Sequence, residues 1–166
     1  MTTFELYRPD RKLTHAQLVD ELAAMPQRLR ALVGSLNLDA LEHRGDDGSW
    51  SPLEVCRHMR DIAQVYGMRF KWMILDDGPF LPNYDENRWV AESPDGAANL
   101  ESMLREIDAY RAETVRLLRS LDDAGWRRTG RHEVIGVVEL EAYVRHEYAH
   151  EEQHLAQLQA ALGALR

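Results

Sequence analysis

Residues 146–158 read HEYAHEEQHLAQL, with a histidine at every fourth position: His146, His150 and His154. A spacing of four puts side chains on one face of an α-helix, one turn apart, so the stretch predicts a helix. The apolar side of this helix borders the line through His150 and His154 and is formed by Leu140, Val144, Leu155, Leu158 and Leu162. The stretch therefore predicts an amphipathic helix whose histidines lie at the edge of a hydrophobic core.

An earlier helix is marked by its first turn. Ser51 is suited to the N-cap, Pro52 to the first helical position and Glu54 to the reciprocal position of a capping box. The helix is predicted to run to about Leu75. Its inward face follows a spacing of three or four and consists of Val55, His58, Ile62, Tyr66, Phe70 and Met73. His58 is therefore expected to point into the core.

Two more helices complete the pattern. One is predicted from Thr14 to about Leu36, with a break or kink at Pro26, and the other from about Ala97 to Leu121. The last helix is expected to begin near Val138. Four long helices in a chain of this length predict an all-α four-helix bundle, with residues 1–166 as a single domain.

The connections are predicted to be irregular. Leu38–Ser49 is rich in Asp and Gly, and residues 76–95 and 122–136 combine turn formers with aromatic residues. No segment alternates as a β-strand does, so no sheet is expected. The segments 76–95 and 122–136 are expected to shape a substrate pocket.

Composition narrows the class of protein. With 20 Lys and Arg against 28 Asp and Glu, the net charge of −8 argues against nucleic acid as a partner. The single cysteine, Cys56, allows no internal disulfide, and no apolar run reaches the length of a membrane span. Residues 1–10 carry no apolar signal-peptide core. A cytoplasmic protein without membrane contact is expected.

The histidines are the candidate functional residues. His150 and His154 can direct their imidazoles at one ion, and the inward His58 can approach them from a facing helix. Two simpler interpretations stay open: His58 as a hydrogen-bonded core residue, and the pair as part of a solvated helix face. His146 is expected at the boundary of the site. The remaining histidines, His15, His43 and His132, are expected mainly on the surface or in loops, although the loop that carries His132 could reach the site.

The sequence argues against a zinc protease, although residues 150–154 match the pattern H-E-x-x-H. The extended form of that motif requires a glycine and a third histidine further along the helix. Those two positions hold Gln157 and Ala160.

Three segments together resemble the DinB-like (YfiT-related) superfamily. They are Trp50-Ser51-Pro52 followed by His58, the stretch from Trp126 into His132–Gly136, and His150 to Leu158. The resemblance implies a four-helix bundle that often dimerises and a divalent metal held by three histidines. By match, the ligands in this sequence are His58, His150 and His154. Several members of the family transfer low-molecular-weight thiols such as bacillithiol, mycothiol or glutathione.

The expected function is therefore that of a metal-dependent thiol transferase acting on a small molecule, with zinc or nickel as the metal. A non-catalytic metal-binding stress protein and a metal-dependent hydrolase are the alternatives. Glu147 and Tyr143, on or near the histidine line, are candidates for proton handling, although Glu147 could equally be a solvated charge. Cys56 lies about 200° around its helix from His58 and is not expected to be the nucleophile. A homodimer is expected from the resemblance.

Overall fold

The computed structural model describes residues 12–45 and 48–164; residues 1–10, where no signal-peptide core was expected, lie outside this range. Its helices and strands are α1 (His15–Val33), α2 (Leu38–Glu42), α3 (Pro52–Leu75), β1 (Phe80–Leu81), α4 (Glu86–Glu92), α5 (Leu100–Arg119), α6 (Asp123–Trp126), β2 (Thr129–His132), β3 (Gly136–Glu139) and α7 (Leu140–Ala164). A single turn of 3₁₀ helix, Ala97–Asn99, leads into α5.

The four long helices α1, α3, α5 and α7 form the predicted four-helix bundle. Both α1 and α3 pack against α5 and α7, so α1 lies diagonally across from α3, and α5 across from α7. Their apolar faces meet in one continuous core. This arrangement makes α3 and α7 direct neighbours, which is the condition for His58 to meet the C-terminal histidines.

The capping signals fix the starts of the first two long helices. Thr14 Oγ1 accepts a 3.2 Å hydrogen bond from Gln17 N, and Ser51 Oγ accepts one of 3.3 Å from Glu54 N. Each reciprocal bond of the capping box is also present. Pro26 lies buried within α1, which continues past it and does not restart. Both predicted N-termini are therefore confirmed.

The prediction that the chain has no sheet is wrong. Strands β1, β2 and β3 form a three-stranded sheet in that order, with β1 parallel to β2 and β2 antiparallel to β3. The strands are two to four residues long, which is too short for alternation to be recognised in the sequence. The sheet packs beside the C-terminal end of α3, where Arg128 donates hydrogen bonds to the carbonyls of Met73 and Asp76.

Two glycines let the sheet form where it does. Gly136 has φ of 77° at the first position of β3, directly after the turn that joins β2 to β3, a conformation that residues with a Cβ rarely adopt. A Cβ at Gly130 would lie 2.8 Å from Leu81 Cδ1 and 3.0 Å from Met73 Cγ. A residue with a Cβ at position 130 would require the side chains of Leu81 and Met73 to shift.

The connections also contain short helices that were expected to be irregular. Asn37 accepts a hydrogen bond from Ala40 N and begins α2, within the predicted loop Leu38–Ser49. The segment 76–95 contains β1 and α4, and the segment 122–136 contains α6 and β2. Val138 belongs to β3, so the last helix begins two residues later than predicted. Elements of four to seven residues are too short to show helical periodicity.

Among the described residues, no helix has both the length and the hydropathy needed to cross a membrane.

Candidate metal centre

The three histidines matched to the family motif lie together between α3 and α7. The ring centroids of His58 and His154 are 4.6 Å apart, those of His150 and His154 4.7 Å, and those of His58 and His150 5.3 Å. Each ring offers one nitrogen to the cluster, and these three nitrogens all lie within 4.8 Å of one another. His58 and His150, 92 positions apart in the sequence, are thus brought together by helix packing alone.

The geometry and the donors suit a divalent transition metal. The Nε2 atoms of His150 and His154 are 3.1 Å apart. Two nitrogens bound to one tetrahedral ion would be about 3.3–3.4 Å apart, so little movement is needed. His58 is 1% exposed, and both of its ring nitrogens are buried without a hydrogen-bond partner among the described residues. Buried imidazole nitrogens normally have partners, and a metal ion would provide one.

Neighbouring side chains hold the histidines in place. His154 Nδ1 lies 3.2 Å from Gln157 Oε1, an acceptor that favours the proton on Nδ1 and leaves the Nε2 lone pair facing the cluster. Trp50 stacks at 6.1 Å over His154 and meets His58 edge-on at 4.9 Å. The tryptophan that precedes the α3 capping box therefore covers one side of the three-histidine cluster.

Burial keeps all three imidazoles neutral. It lowers the pKa of His58 to about 2 and that of His150 to about 3, with a smaller contribution from the neighbouring histidines. Burial also lowers the pKa of His154. Only the neutral ring has a lone pair to offer a metal, so the cluster is ready to bind one near neutral pH.

A carboxylate that the sequence did not reveal lies beside the cluster. Glu86 Oε2 is 3.8 Å from His58 Nε2, and burial raises the pKa of Glu86, with a further contribution from Asp85. Glu86 is the first residue of α4, within the segment 76–95 that was expected to shape the pocket. The segment was foreseen but the residue was not, because no local pattern distinguishes Glu86 from the other acids nearby.

The cluster borders a cavity of about 450 Å³. It is lined by Tyr66, Arg69, Asn83, Tyr84, Asp85, Glu86, Asn87, His132, Val134, His146 and His150. Segments 76–95 and 122–136 both contribute to this wall. The volume lies within the range of about 300–1,000 Å³ that is usual for small-molecule sites.

Two other histidines are also buried near this cavity. His146 is 1% exposed and its Nε2 lies 3.1 Å from the Tyr66 hydroxyl. His132 was expected on the surface or in a loop, but it is 5% exposed on β2, and its Nδ1 accepts a hydrogen bond from Val134 N. Strand alternation, unseen in the sequence, turns His132 inward. His43 is exposed, and His15 stacks half-buried on Trp126 at 4.2 Å.

The two proton-handling candidates differ in their surroundings. Tyr143 is buried and its ring packs 6.0 Å from those of His132 and His146, next to the cavity. The alternative that Glu147 is a solvated charge is wrong, since it is 0% exposed and bonded to Arg111 of α5. Glu147 faces the diagonal helix and is not among the residues that line the cavity.

Cys56 is fully buried in the core, and burial raises the pKa of its thiol to about 12. A thiol of this kind carries almost no thiolate at neutral pH. The environment of Cys56 therefore does not suit a nucleophile.

Comparison with known proteins identifies a family and several relatives of this chain. Residues 21–158 match the model of the DinB superfamily. YfiT of Bacillus subtilis, named as a proposed metal-dependent hydrolase, is 24% identical over 165 residues, which cover 95% of this chain and 92% of that protein. A protein of Geobacillus kaustophilus with the same kind of name is 29% identical over 112 residues, 68% of this chain and 63% of its own length. A third, from Oceanobacillus iheyensis, is 25% identical over 143 residues, 86% of this chain and 82% of its own.

Solved structures agree on the fold. The structure of Bacillus subtilis YfiT, described as an unusual four-helix bundle, superposes with a TM-score of 0.86 at 23% identity and covers 96% of this chain and 93% of that one. A second four-helix bundle protein gives a TM-score of 0.61 at 22% identity, over 89% and 99% of the two chains. At these identities the likeness establishes the architecture.

Proposed function

This chain belongs to the DinB superfamily, and on that premise we propose that it is a metal-dependent hydrolase of a small molecule. The observation that carries the proposal is the pairing of three neutral imidazoles with one carboxylate. His58, His150 and His154 would hold a divalent metal, and Glu86 lies beside His58 at the edge of the cavity. The names given to the relatives favour the same class of activity.

The donor set determines what kind of metal site this would be. Three protein ligands leave a position open, as in catalytic zinc sites, whereas structural sites use four. Bound there, a divalent metal supplies a nucleophile near neutral pH by lowering the pKa of a water or thiol in the open position. Imidazole ligands suit zinc and nickel alike, so either metal is compatible with the site.

Other residues of the chain would transfer the proton, orient the histidines and bind the substrate. Glu86 is suited to accept a proton from the attacking group, because its carboxylate lies 3.8 Å from a ligand histidine and lines the cavity. Gln157 and Trp50 would keep His154 and His58 oriented. The cavity would hold the substrate against the histidine face.

Thiol transfer is the second candidate function. The resemblance to known thiol transferases implies it, and the cavity of about 450 Å³ is the observation that favours it, since it has room for a tripeptide-sized thiol. In that reaction Glu86 would accept the proton of the thiol.

One screen separates these functions. Full-length protein loaded with zinc or nickel is assayed with p-nitrophenyl esters, and in parallel with 1-chloro-2,4-dinitrobenzene and each of glutathione, bacillithiol and mycothiol. We expect metal-dependent ester hydrolysis that needs no thiol. Turnover only in the presence of a thiol would replace the hydrolase with a transferase, and bound metal without any turnover would favour the non-catalytic alternative.

The matched variants are two glutamates of α4. Glu86→Gln should lower kcat by about 100-fold or more while metal content stays at the wild-type level, because general bases contribute about 10²–10⁴ in rate. Glu92→Gln, at the exposed end of the same helix, should behave as wild type. Equal rates in the two variants would remove Glu86 from the reaction.

A further inference from the structure

Arg69 is a buried cation that faces the cavity. It lies on α3 with 2% exposure and lines the cavity together with His132 and His146. Its Nη1 donates a 2.7 Å hydrogen bond to the Tyr143 hydroxyl, and its Nη2 donates to the Pro82 carbonyl. A guanidinium has five N–H donors, so three are left without a hydrogen-bond partner in the described part of the chain.

What sets Arg69 apart is the absence of a counter-charge. Within residues 12–45 and 48–164, no carboxylate oxygen lies within 4.0 Å of its guanidinium. The other deeply buried arginine, Arg111, contacts two glutamates, and the partly buried Arg60 contacts Asp61 and Asp95. Burying an unpaired charge costs free energy. A buried guanidinium without a protein carboxylate is therefore suited to pair with the anionic group of a ligand.

The other groups of the cavity wall do not neutralise the guanidinium. The rings of Tyr66 and Tyr84 lie 5.4 and 5.8 Å from the Arg69 guanidinium carbon, which stabilises the cation without neutralising it. The acids that line the same cavity are held elsewhere: Asp85 caps α4 by accepting from Arg88 N, and Glu86 lies beside His58.

We infer that Arg69 binds an oxyanion, a carboxylate or a phosphate, carried by the small molecule that occupies this cavity. A planar guanidinium with free donors is suited to both groups. The inference rests on the proposed function in one respect only, since it takes the reacting end of that molecule to lie at the histidine cluster. It assigns the opposite, charged end to Arg69.

Helix geometry sets the spacing between the two ends. Arg69 is bonded to Tyr143, which lies seven residues before His150 on α7, and the two positions are about 10 Å apart along the helix. The rings of Tyr143, His146 and His150 follow one another at 6.0 Å along this path. We therefore expect an elongated anion whose charged group and reacting end are separated by a distance of about this size, roughly 10 Å.

The test is calorimetric titration of the full-length protein with suberate, whose two carboxylates are separated by a chain of about this length, and with its uncharged diamide. Inorganic phosphate is titrated separately to distinguish the two oxyanions. Wild type should bind suberate and not the diamide. Arg69→Gln should weaken suberate binding at least tenfold, whereas Arg131→Gln, which removes an exposed arginine on the outer face of the sheet, should leave it within twofold.

Repeating the titration after metal removal separates this inference from the proposed function. The difference between wild type and Arg69→Gln should persist in metal-free protein, even if the enzyme proves to hydrolyse nothing. A merely structural role would lower the Tm of Arg69→Gln and leave its affinity for suberate and phosphate unchanged, which would overturn the inference.

A measurement on wild type guards against a variant that fails to fold. The Arg69 side-chain Nε–H signal, assigned through bonds in ¹⁵N-labelled protein, should shift on addition of suberate and stay fixed with the diamide. Binding of suberate with no change in that signal would also overturn the inference.

Discussion

Arg111 of α5 donates a 3.0 Å hydrogen bond to Glu147 of α7 across the diagonal of the bundle, with both side chains buried. The same guanidinium donates to Glu151, one turn further along α7. Burial raises the pKa of both glutamates, although the positive charge of Arg111 opposes the rise. These three residues tie α5 to the stretch of α7 that carries the histidines.

We expect Arg111→Met to lower the free energy of unfolding by about 3–5 kcal/mol, because it leaves two buried carboxylates without a counter-charge. Urea unfolding followed by circular dichroism measures this loss. The loss should be smaller at pH 5 than at pH 8, since protonation of the carboxylates removes the uncompensated charge. The control is Arg105→Met on the exposed side of α5, which should cost less than about 0.5 kcal/mol. Equal costs would contradict a stabilising role for the buried cluster.

The sequence predicts those features of the fold and the site that depend on local patterns. The i, i+4 repeat of His150 and His154 and the capping box of Ser51 are properties of a single helix, and both the helices and their approximate bounds follow from such signals. The bundle then brings His58 to the pair because α3 and α7 are neighbours. The four-helix bundle and the three-histidine cluster could therefore be predicted from the sequence.

What the sequence misses depends on contacts between elements. Arg111 lies 36 residues from Glu147, and nothing in either helix indicates that they face each other. Glu86 and Arg69 matter only through the cavity that they share, and His132 turns inward because of a strand too short to recognise. Such relationships are set by tertiary packing, which a single sequence does not encode in any local pattern.

His150→Ala and His154→Ala should each abolish metal loading while the protein stays helical. The two Nε2 atoms lie 3.1 Å apart, and neither alone can hold the ion in a three-ligand site. Elemental analysis of the purified variants checks this, with His43→Ala as the control because His43 is exposed and distant in sequence from the cluster. Wild-type metal content in either cluster variant would remove that histidine from the site.

Metal-free protein should lose stability on acidification from pH 6.5 to pH 5. Burial lowers the pKa of His58 to about 2, that of His150 to about 3 and those of His132 and His146 to about 4, whereas unfolded histidine titrates near 6.5. Below pH 6.5 the unfolded chain therefore binds protons that the folded chain does not, and each histidine costs up to about 1.4 kcal/mol per pH unit.

The buried glutamates act in the opposite direction. Their raised pKa makes the folded chain bind more protons than the unfolded chain above pH 4.5. Their contribution to the free energy of unfolding therefore falls as pH rises. Five histidines have a lowered pKa, His154 included, and they outnumber the four carboxylates with a raised pKa, which are Glu147, Glu151, Asp61 and Glu86. Below pH 6.5 the net effect is therefore acid destabilisation. Urea unfolding at pH 6.5 and 5.5 measures the slope, which should be shallower in His132→Gln. A slope of zero in wild type would contradict neutral buried histidines.

The homodimer implied by the family resemblance stays a prediction. Met68, Trp72 and Leu75 form an exposed apolar row on α3, with 47%, 36% and 66% of their surfaces accessible. If this row forms the dimer contact, Leu75→Glu should shift sedimentation at micromolar concentration toward monomer. The control is Leu38→Glu, which changes a similarly exposed leucine on α2 and should not shift it. A wild-type chain that sediments only as a 19.2 kDa species would contradict the dimer.

His58 should contribute to metal affinity as much as the C-terminal pair does, and this prediction tests the helix packing itself. Its two ring nitrogens are buried without a hydrogen-bond partner among the described residues, and its ring centroid lies 4.6 Å from that of His154. His58→Ala leaves two ligands, and we expect the Kd for zinc to rise by more than about 100-fold, because losing even a supporting side chain of a metal site costs about 10–100-fold.

The comparison with His58→Gln distinguishes ligation from packing. Glutamine fills most of the space but replaces the imidazole with an amide, so stability should recover relative to His58→Ala while metal affinity should not. A core histidine with no ligand role would also lose stability in the alanine variant through the cavity, but zinc affinity would equal that of wild type in both variants. Zinc titration and urea unfolding of the three proteins side by side therefore decide whether α3 supplies the third ligand, and an unchanged Kd in both variants would mean that it does not.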